Sequence, residues 1–196
     1  MKRKVGILVF DEAEVLDFAG PFEVFSVCSE VHDFQLFDAF LVAKNKAPVR
    51  AVNGLSVNPQ YDFQDCPPLD ILILSGGSGT RQIMEDKDTL AWIGRMHANT
   101  EFTLSICSAA RLLGRMGLLD GQVYCTHHGV YEHLREMVPT GLPQPDQRFV
   151  HFGKTYTSGG ISAGIDLSFH IVEQIHGEAV AQATADYMEY DRLRVP

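Results

Sequence analysis

Ile71-Leu72-Ile73-Leu74-Ser75-Gly76-Gly77-Ser78-Gly79 is the stretch that decides the architecture. Four consecutive apolar residues suit a short strand buried on both faces, as strands inside a parallel sheet are. The strand runs into a glycine turn and then into helical sequence from Arg81 to about Ala98. A second unit of the same form follows. The strand Phe102–Ile106 breaks at Cys107 into a helix over Ala109–Met116.

The flanking sequence repeats this alternation. Upstream, Val5–Phe10 reads as the first strand, followed by a helix opening at Gly20-Pro21, where proline suits a first turn. Leu36–Ala43 is a second strand, and Val49–Val57 is a hairpin turned at Asn53-Gly54. Downstream, Val123–Thr126 is a strand, Val130–Met137 a helix and Pro139–Pro145 a proline-rich loop. Phe149–Phe152 and Thr155–Ser158 pair, Gly159-Gly160 turns the chain, and helices follow over Ser162–Ile175 and Glu178–Tyr190. Strand–helix alternation of this kind predicts an α/β fold, a mostly parallel sheet with helices on both faces. No repeat, low-complexity tract or linker divides the chain, so residues 1–196 read as a single domain.

Composition narrows the function classes. Sixteen basic against twenty-five acidic residues give a net charge of −9, which repels phosphate backbones and anionic lipid. Nucleic acid and membrane surfaces are therefore not expected partners. The basic start Met1-Lys2-Arg3-Lys4 precedes an apolar run of six residues, too short for a signal peptide or a membrane span. The four cysteines, Cys28, Cys66, Cys107 and Cys125, form no Cys-x-x-Cys motif and read as reduced thiols of a cytoplasmic protein.

In α/β sheets of this type, reactive groups gather at the carboxyl ends of strands. Three such ends carry chemistry. Ser105-Ile106-Cys107-Ser108-Ala109 has the layout of a nucleophile elbow, in which a tight strand-to-helix turn lifts a side chain above the sheet. The amides opening the next helix favour negative charge there, which predicts a lowered thiol pKa. A buried structural cysteine has the same spacing. Asp17 is an acid among apolar neighbours, placed by this reading between the first strand and its helix. A capping role explains it, and so does a buried, protonated carboxyl beside a thiolate. The glycines of Ser75–Gly79 expose backbone amides suited to an anion, although Thr80-Arg81 follows instead of the Lys-Ser/Thr of a phosphate loop. His127 also sits at a strand end and is a candidate proton carrier, while His133, His151, His170 and His176 show no metal-ligand spacing.

Together these segments resemble the DJ-1/PfpI superfamily, and within it the isocyanide (isonitrile) hydratases. The motifs carrying the resemblance are Val5-Gly6-Ile7-Leu8-Val9-Phe10 and Leu16-Asp17-Phe18-Ala19-Gly20-Pro21. Cys66-Pro67-Pro68-Leu69-Asp70, Gly76-Gly77, Cys107-Ser108, Gly117-Leu118-Leu119-Asp120-Gly121, Thr126-His127 and Ser158-Gly159-Gly160-Ile161-Ser162-Ala163-Gly164-Ile165-Asp166 complete them. The resemblance implies a flavodoxin-like, doubly wound sheet of the class I glutamine amidotransferase type, usually a homodimer. Cys107 becomes the nucleophile and Asp17 the conserved acid. Gly76, Gly77 and Ser108 fall where backbone amides line an anion pocket, and His127 borders it.

Ser108 departs from the histidine of the PfpI-type proteases, which argues against peptidase activity. Arg111 puts a large cation where the hydratases are smaller, implying a negatively charged substrate if it faces the pocket. The chain ends at Pro196 without the helix-turn-helix extension of regulators built on this domain, which removes the simplest transcription-factor reading. The implied reaction is hydration of an isocyanide or similar small electrophile. Cys107 attacks the terminal carbon, Asp17 protonates the neighbouring atom to give a thioimidate, and water releases an N-formamide. No metal or organic cofactor is required. Two alternatives use the same residues: glyoxalase-type chemistry on small α-oxoaldehydes with His127, and a redox sensor at Cys107.

Overall fold

In the computed structural model residues 2–192 are described. Met1 and residues 193–196, with the Pro196 terminus, lie outside the described residues. Strands β1 (Arg3–Leu8), β2 (Phe37–Ala43), β5 (Tyr61–Asp62), β6 (Ile71–Leu74), β7 (Phe102–Ser105), β10 (Phe149–Phe152) and β11 (Thr155–Ser158) form one sheet. Its order is β10-β11-β7-β6-β1-β2-β5. All neighbours pair in parallel except β10 with β11, so the sheet is flavodoxin-like and mostly parallel, as the alternation predicts. The short strands β3 (Val49–Arg50) and β4 (Ser56–Val57) are the expected hairpin, turned through Asn53 at φ 63° and Gly54 at φ 88°.

The pattern of burial explains the order. Every residue of Ile71–Leu74 is fully buried, so both faces of β6 are covered. Burying each such side chain contributes about 1.5–3 kcal/mol. Helices α1 (Val15–Glu30), α6 (Ala163–His176) and α7 (Glu178–Tyr187) pack on one another. Helices α2 (Thr80–Ile83), α4 (Ala110–Arg115) and α5 (Tyr131–Met137) pack as a second group, α2 on α4 and α4 on α5. Trp92, on α3 (Lys87–Asn99), is fully buried and stacks on Phe63 with centroids 4.3 Å apart. No helix among the described residues is long and apolar enough to cross a membrane.

Three expectations are corrected. The first helix opens at Val15 instead of Gly20-Pro21. Pro21 lies inside it and supplies no N–H for the Asp17 carbonyl, while Asp17 itself sits in the first turn. The helix expected over Arg81–Ala98 is two helices, α2 and α3. Between them Asp86 caps α3, accepting from Asp88 N at 3.1 Å and from Thr89 Oγ1 at 2.9 Å. Val123–Thr126 contributes only β8 (Val123–Tyr124). That strand pairs outside the main sheet with β9 (Leu142–Pro143), within the segment read as a loop.

The cap makes a measurable claim. Asp86→Ala should lower stability in urea unfolding by about 1 kcal/mol, the usual worth of a cap. Asp86→Asn, which keeps a capping oxygen, should lose less.

Candidate active site

From β1 the chain moves to β2 on one side, and later to β6 and β7 on the other. A crevice opens at the carboxyl ends of strands where the order reverses in this way. Three segments leave the sheet there: the start of α1, the 75–79 turn after β6, and the elbow after β7.

Cys107 adopts φ 57°, the left-handed region that a non-glycine residue enters at a cost of about 1–3 kcal/mol. Neighbouring ladders enforce it. Ile106 N–H donates to the Leu74 carbonyl at 3.0 Å, and Cys107 N–H donates to the Gly159 carbonyl at 3.1 Å. The Cys107 side chain borders a cavity of about 260 Å³ that Gly77, Ser108, His127 and Ile161 also line.

Asp17 is fully buried beside Cys107 and Gly76. Its Oδ2 accepts from Gly76 N–H at 2.9 Å. Its Oδ1 has no hydrogen-bond partner among the described residues. Residue 76 has to be glycine: a Cβ there would lie 2.6 Å from Asp17 Oδ2, 2.7 Å from Ser108 N and 2.9 Å from Cys107 Cβ. Residue 77 also requires glycine, with φ 113° and only 2.2 Å between a Cβ and the Glu12 carbonyl oxygen.

Burial pushes the Asp17 carboxyl up to about 7, against the pull of the Gly76 N–H, and the charge of Glu14 adds to the rise. Burial pushes the Cys107 thiol up to about 12, and the negative charge of Asp17 adds to it. The N–H groups of Ile161 and Ser108 pull the thiol the other way. The lowered thiol pKa expected from the elbow is thus corrected. At this depth, lost hydration and a neighbouring carboxylate outweigh two backbone dipoles. Near neutral pH the resting pair holds between one and two protons.

The glycine amides differ from their expected use. Gly76 N–H is taken by Asp17, and Gly77 N–H donates to Ser108 Oγ at 2.8 Å, so neither is free for an oxyanion. Ser108 N–H does face the sulfur, and its partner there is the amide of Ile161. Ile161 is itself at φ 50° and directly follows Gly159-Gly160, with its side chain exposed. His127 Nδ1 accepts from Gly129 N–H at 3.1 Å, which puts the proton of a neutral ring on Nε2. Burial, and next the charge of His128, lower the His127 pKa. Glu14, Arg81 and Arg111 also line the cavity. Among the described residues no group of three or more His, Cys, Asp or Glu is placed to hold a metal ion.

Residues 3–174 match the DJ-1/PfpI family. The chain belongs to that family. It is 33% identical over 192 residues to an isonitrile hydratase of Pseudomonas putida, spanning 97% of this chain and 79% of that protein. It is also similar, at 21% identity, to the HTH-type transcriptional regulator GbdR of Pseudomonas aeruginosa, of whose length it spans 52%. Among solved structures, a ThiJ/PfpI family protein from Pseudomonas syringae superposes with a TM-score of 0.86 at 27% identity, covering 99% of this chain and 77% of that one. Drosophila melanogaster DJ-1beta gives 0.81 at 16% identity, covering 97% and 99%.

Sequence reasoning about this DJ-1/PfpI chain did not single out Glu14, Arg81 or Ile161. Ile161 acts through its amide, which every residue carries, so only the preceding glycine pair marks the position. Glu14 and Arg81 are polar residues at helix starts, where solvated charges are common.

The raised Asp17 pKa fixes a pH dependence. Between the ordinary 3.8 and about 7, the folded chain keeps a proton that the unfolded chain has lost. Stability therefore falls as pH rises through that window, by three pH units at about 1.4 kcal/mol each, or about 4 kcal/mol. Asp17→Asn lacks this loss. The stability of wild type relative to Asp17→Asn should decline from pH 4 to pH 8 in urea titrations. A difference that stays flat would mean the carboxyl titrates normally.

Proposed function

We propose that the chain is a cysteine-dependent hydratase that converts an isocyanide, or a similar small electrophile, to an N-substituted formamide. The observation that carries this reading is the buried Asp17 carboxyl beside the Cys107 thiol, ionising near neutrality at about 7. A general acid–base works best at that poise. The similarity to the isonitrile hydratase supports the choice of substrate.

The reaction balances with these groups alone. As the Cys107 sulfur bonds to the terminal carbon, its proton passes to Asp17, which delivers it to that same carbon and not, as first expected, to the neighbouring nitrogen, where it would leave a carbene. The product is a thioimidate, R–N=CH–S–Cys107. Water adds to the imidate carbon, one of its protons going to nitrogen and the other to Asp17. The carbon–sulfur bond then breaks, the formamide leaves, and Asp17 returns a proton to the thiolate. The amides of Ser108 and Ile161 stabilise negative charge on sulfur during both steps, and His127, which lines the cavity, has an Nε2–H to offer the substrate nitrogen.

One observation favours a second reading. Two N–H groups aimed at the sulfur also suit an oxidised, sulfinate form of Cys107, which would make the residue a redox sensor. The presence of His127 in the cavity wall keeps glyoxalase-type chemistry as an assay arm.

Turnover separates these. Purified protein should convert aryl or alkyl isocyanides to formamides, detectable by chromatography. Cys107→Ala should abolish the reaction, and Asp17→Asn should slow it about 10²–10⁴-fold. The hydratase reading fails if wild type leaves isocyanides unchanged, or if Asp17→Asn keeps the wild-type rate. Turnover of methylglyoxal alone would favour the glyoxalase reading. No turnover, with peroxide adding two oxygens at Cys107, would favour the sensor.

A further inference from the structure

Arg111 is the second residue of α4, one helical turn beyond Cys107, so both side chains reach the same cavity. It is only 5% exposed. Its hydrogen bonds go to a hydroxyl and an imidazole and not to a carboxylate: Nη1 donates to Thr80 Oγ1 at 3.1 Å and Nε to His133 Nδ1 at 3.3 Å. Thr80 Oγ1 in turn donates to the Gly77 carbonyl at 2.8 Å, which ties the guanidinium to the glycine turn. The ion pairs among the described residues do not include Arg111 or Arg81.

A buried cation without a counter-ion is unfavourable, and here a second cation makes it worse. Arg81 lines the same cavity and its charge acts on Arg111. Burial first, and then Arg81, push the Arg111 pKa down, although a guanidinium stays charged at any working pH. The acids nearby do not pair with it. Asp17 is buried and partly protonated near neutrality, and Glu14, which also lines the cavity, makes no ion pair with Arg111 or Arg81 among the described residues. Guanidinium N–H groups that remain unused in a cavity suit the oxygens of a carboxylate, which pairs with the planar fork at two points.

We propose that Arg111, with Arg81 beside it, forms an anion subsite, and that the molecule presented to Cys107 carries a carboxylate a few bonds from its reactive carbon. The cavity of about 260 Å³ limits that molecule to a small acid. The proposal rests on the reading of Cys107 as the reacting thiol. It does not depend on the reaction being hydration.

Iodoacetate and iodoacetamide test it, because they alkylate thiols by the same displacement and differ in charge. The measured quantity is the ratio of the two rates at Cys107, followed by peptide mass spectrometry and divided by the same ratio for a small free thiol. In wild type this should exceed one by roughly tenfold, the scale of charge-assisted hydrogen bonds. It should fall to about one in Arg111→Met, stay raised in Arg111→Lys, and fall part-way in Arg81→Met. Acetate should also slow iodoacetamide labelling of wild type more than acetamide does, a comparison that stands even if Arg111→Met does not fold. A wild-type ratio near one, or acetate and acetamide protecting equally, would overturn the subsite whatever isocyanide turnover shows. A raised ratio without isocyanide turnover keeps the subsite and removes the hydratase reading. Failure of both reagents to label Cys107 would remove the reacting thiol, and the subsite with it.

Discussion

A carboxyl group shut away from water, held by one backbone N–H and touching a thiol, is the constraint from which the rest of the site follows. Ionised and unpaired, Asp17 would be several kcal/mol out of place, so the fold either neutralises it or supplies donors. It does some of each. The Gly76 N–H bonds Oδ2 at 2.9 Å, and burial keeps the proton on until about pH 7. That single bond dictates the sequence after β6. A side chain at position 76 would strike Asp17, Ser108 and Cys107 together. The start of α1 is anchored by the same glycine, whose carbonyl accepts from Glu14 N–H at 3.0 Å.

Strain at the elbow is held from the opposite side of the crevice. Cys107 and Ile161 both have left-handed backbones, and each needs neighbours that leave it no alternative. The Gly159 carbonyl takes the Cys107 N–H. The segment behind it is clamped by Arg148, which pairs with the buried Asp166 on α6 at 2.6 Å and donates to Ser162 Oγ at 2.9 Å. Tyr190 adds a bond to the other Asp166 oxygen at 2.9 Å. Asp166 therefore serves the site without lining it. By fixing the turn that presents the Ile161 amide, it sets the donor geometry around sulfur.

How far the sequence reveals all this depends on the range of the forces involved. Ile71–Leu74 and the pair Phe149–Phe152 with Thr155–Ser158 were legible to the residue, because burial writes an unbroken apolar run and turns write glycine. The start of α1 was not. Pro21 looks like a first-turn residue, while the actual start is set by Gly76, distant in sequence. Asp86 was legible in principle as a capping residue, but the amphipathic pattern runs through the break and hides it. Cys107, Asp17 and His127 could be proposed from strand ends. The pairing of Arg81 with Arg111 could not, since it arises only when α2 packs on α4.

The electrostatics of the whole chain and of the cavity have opposite signs, and distance decides which one a small ligand feels. A net charge of −9 weakly repels anions at long range, but salt screens exposed charges beyond about 8 Å. Arg111 is only 5% exposed, so salt screens it less than a surface charge and the nearest charges dominate. A negative group entering the cavity meets two guanidinium groups against one lining carboxylate, Glu14, while Asp17 is not part of the lining. That order also bears on the chemistry. An anion seated against Arg111 offsets part of the positive field that would otherwise favour the thiolate. Proton transfer between Cys107 and Asp17 is then governed more by the amides of Ser108 and Ile161, which no ligand displaces. On the proposed reading the arginines act on binding and the amides on the sulfur, so the anion subsite and the proton chemistry of the elbow rest on different groups.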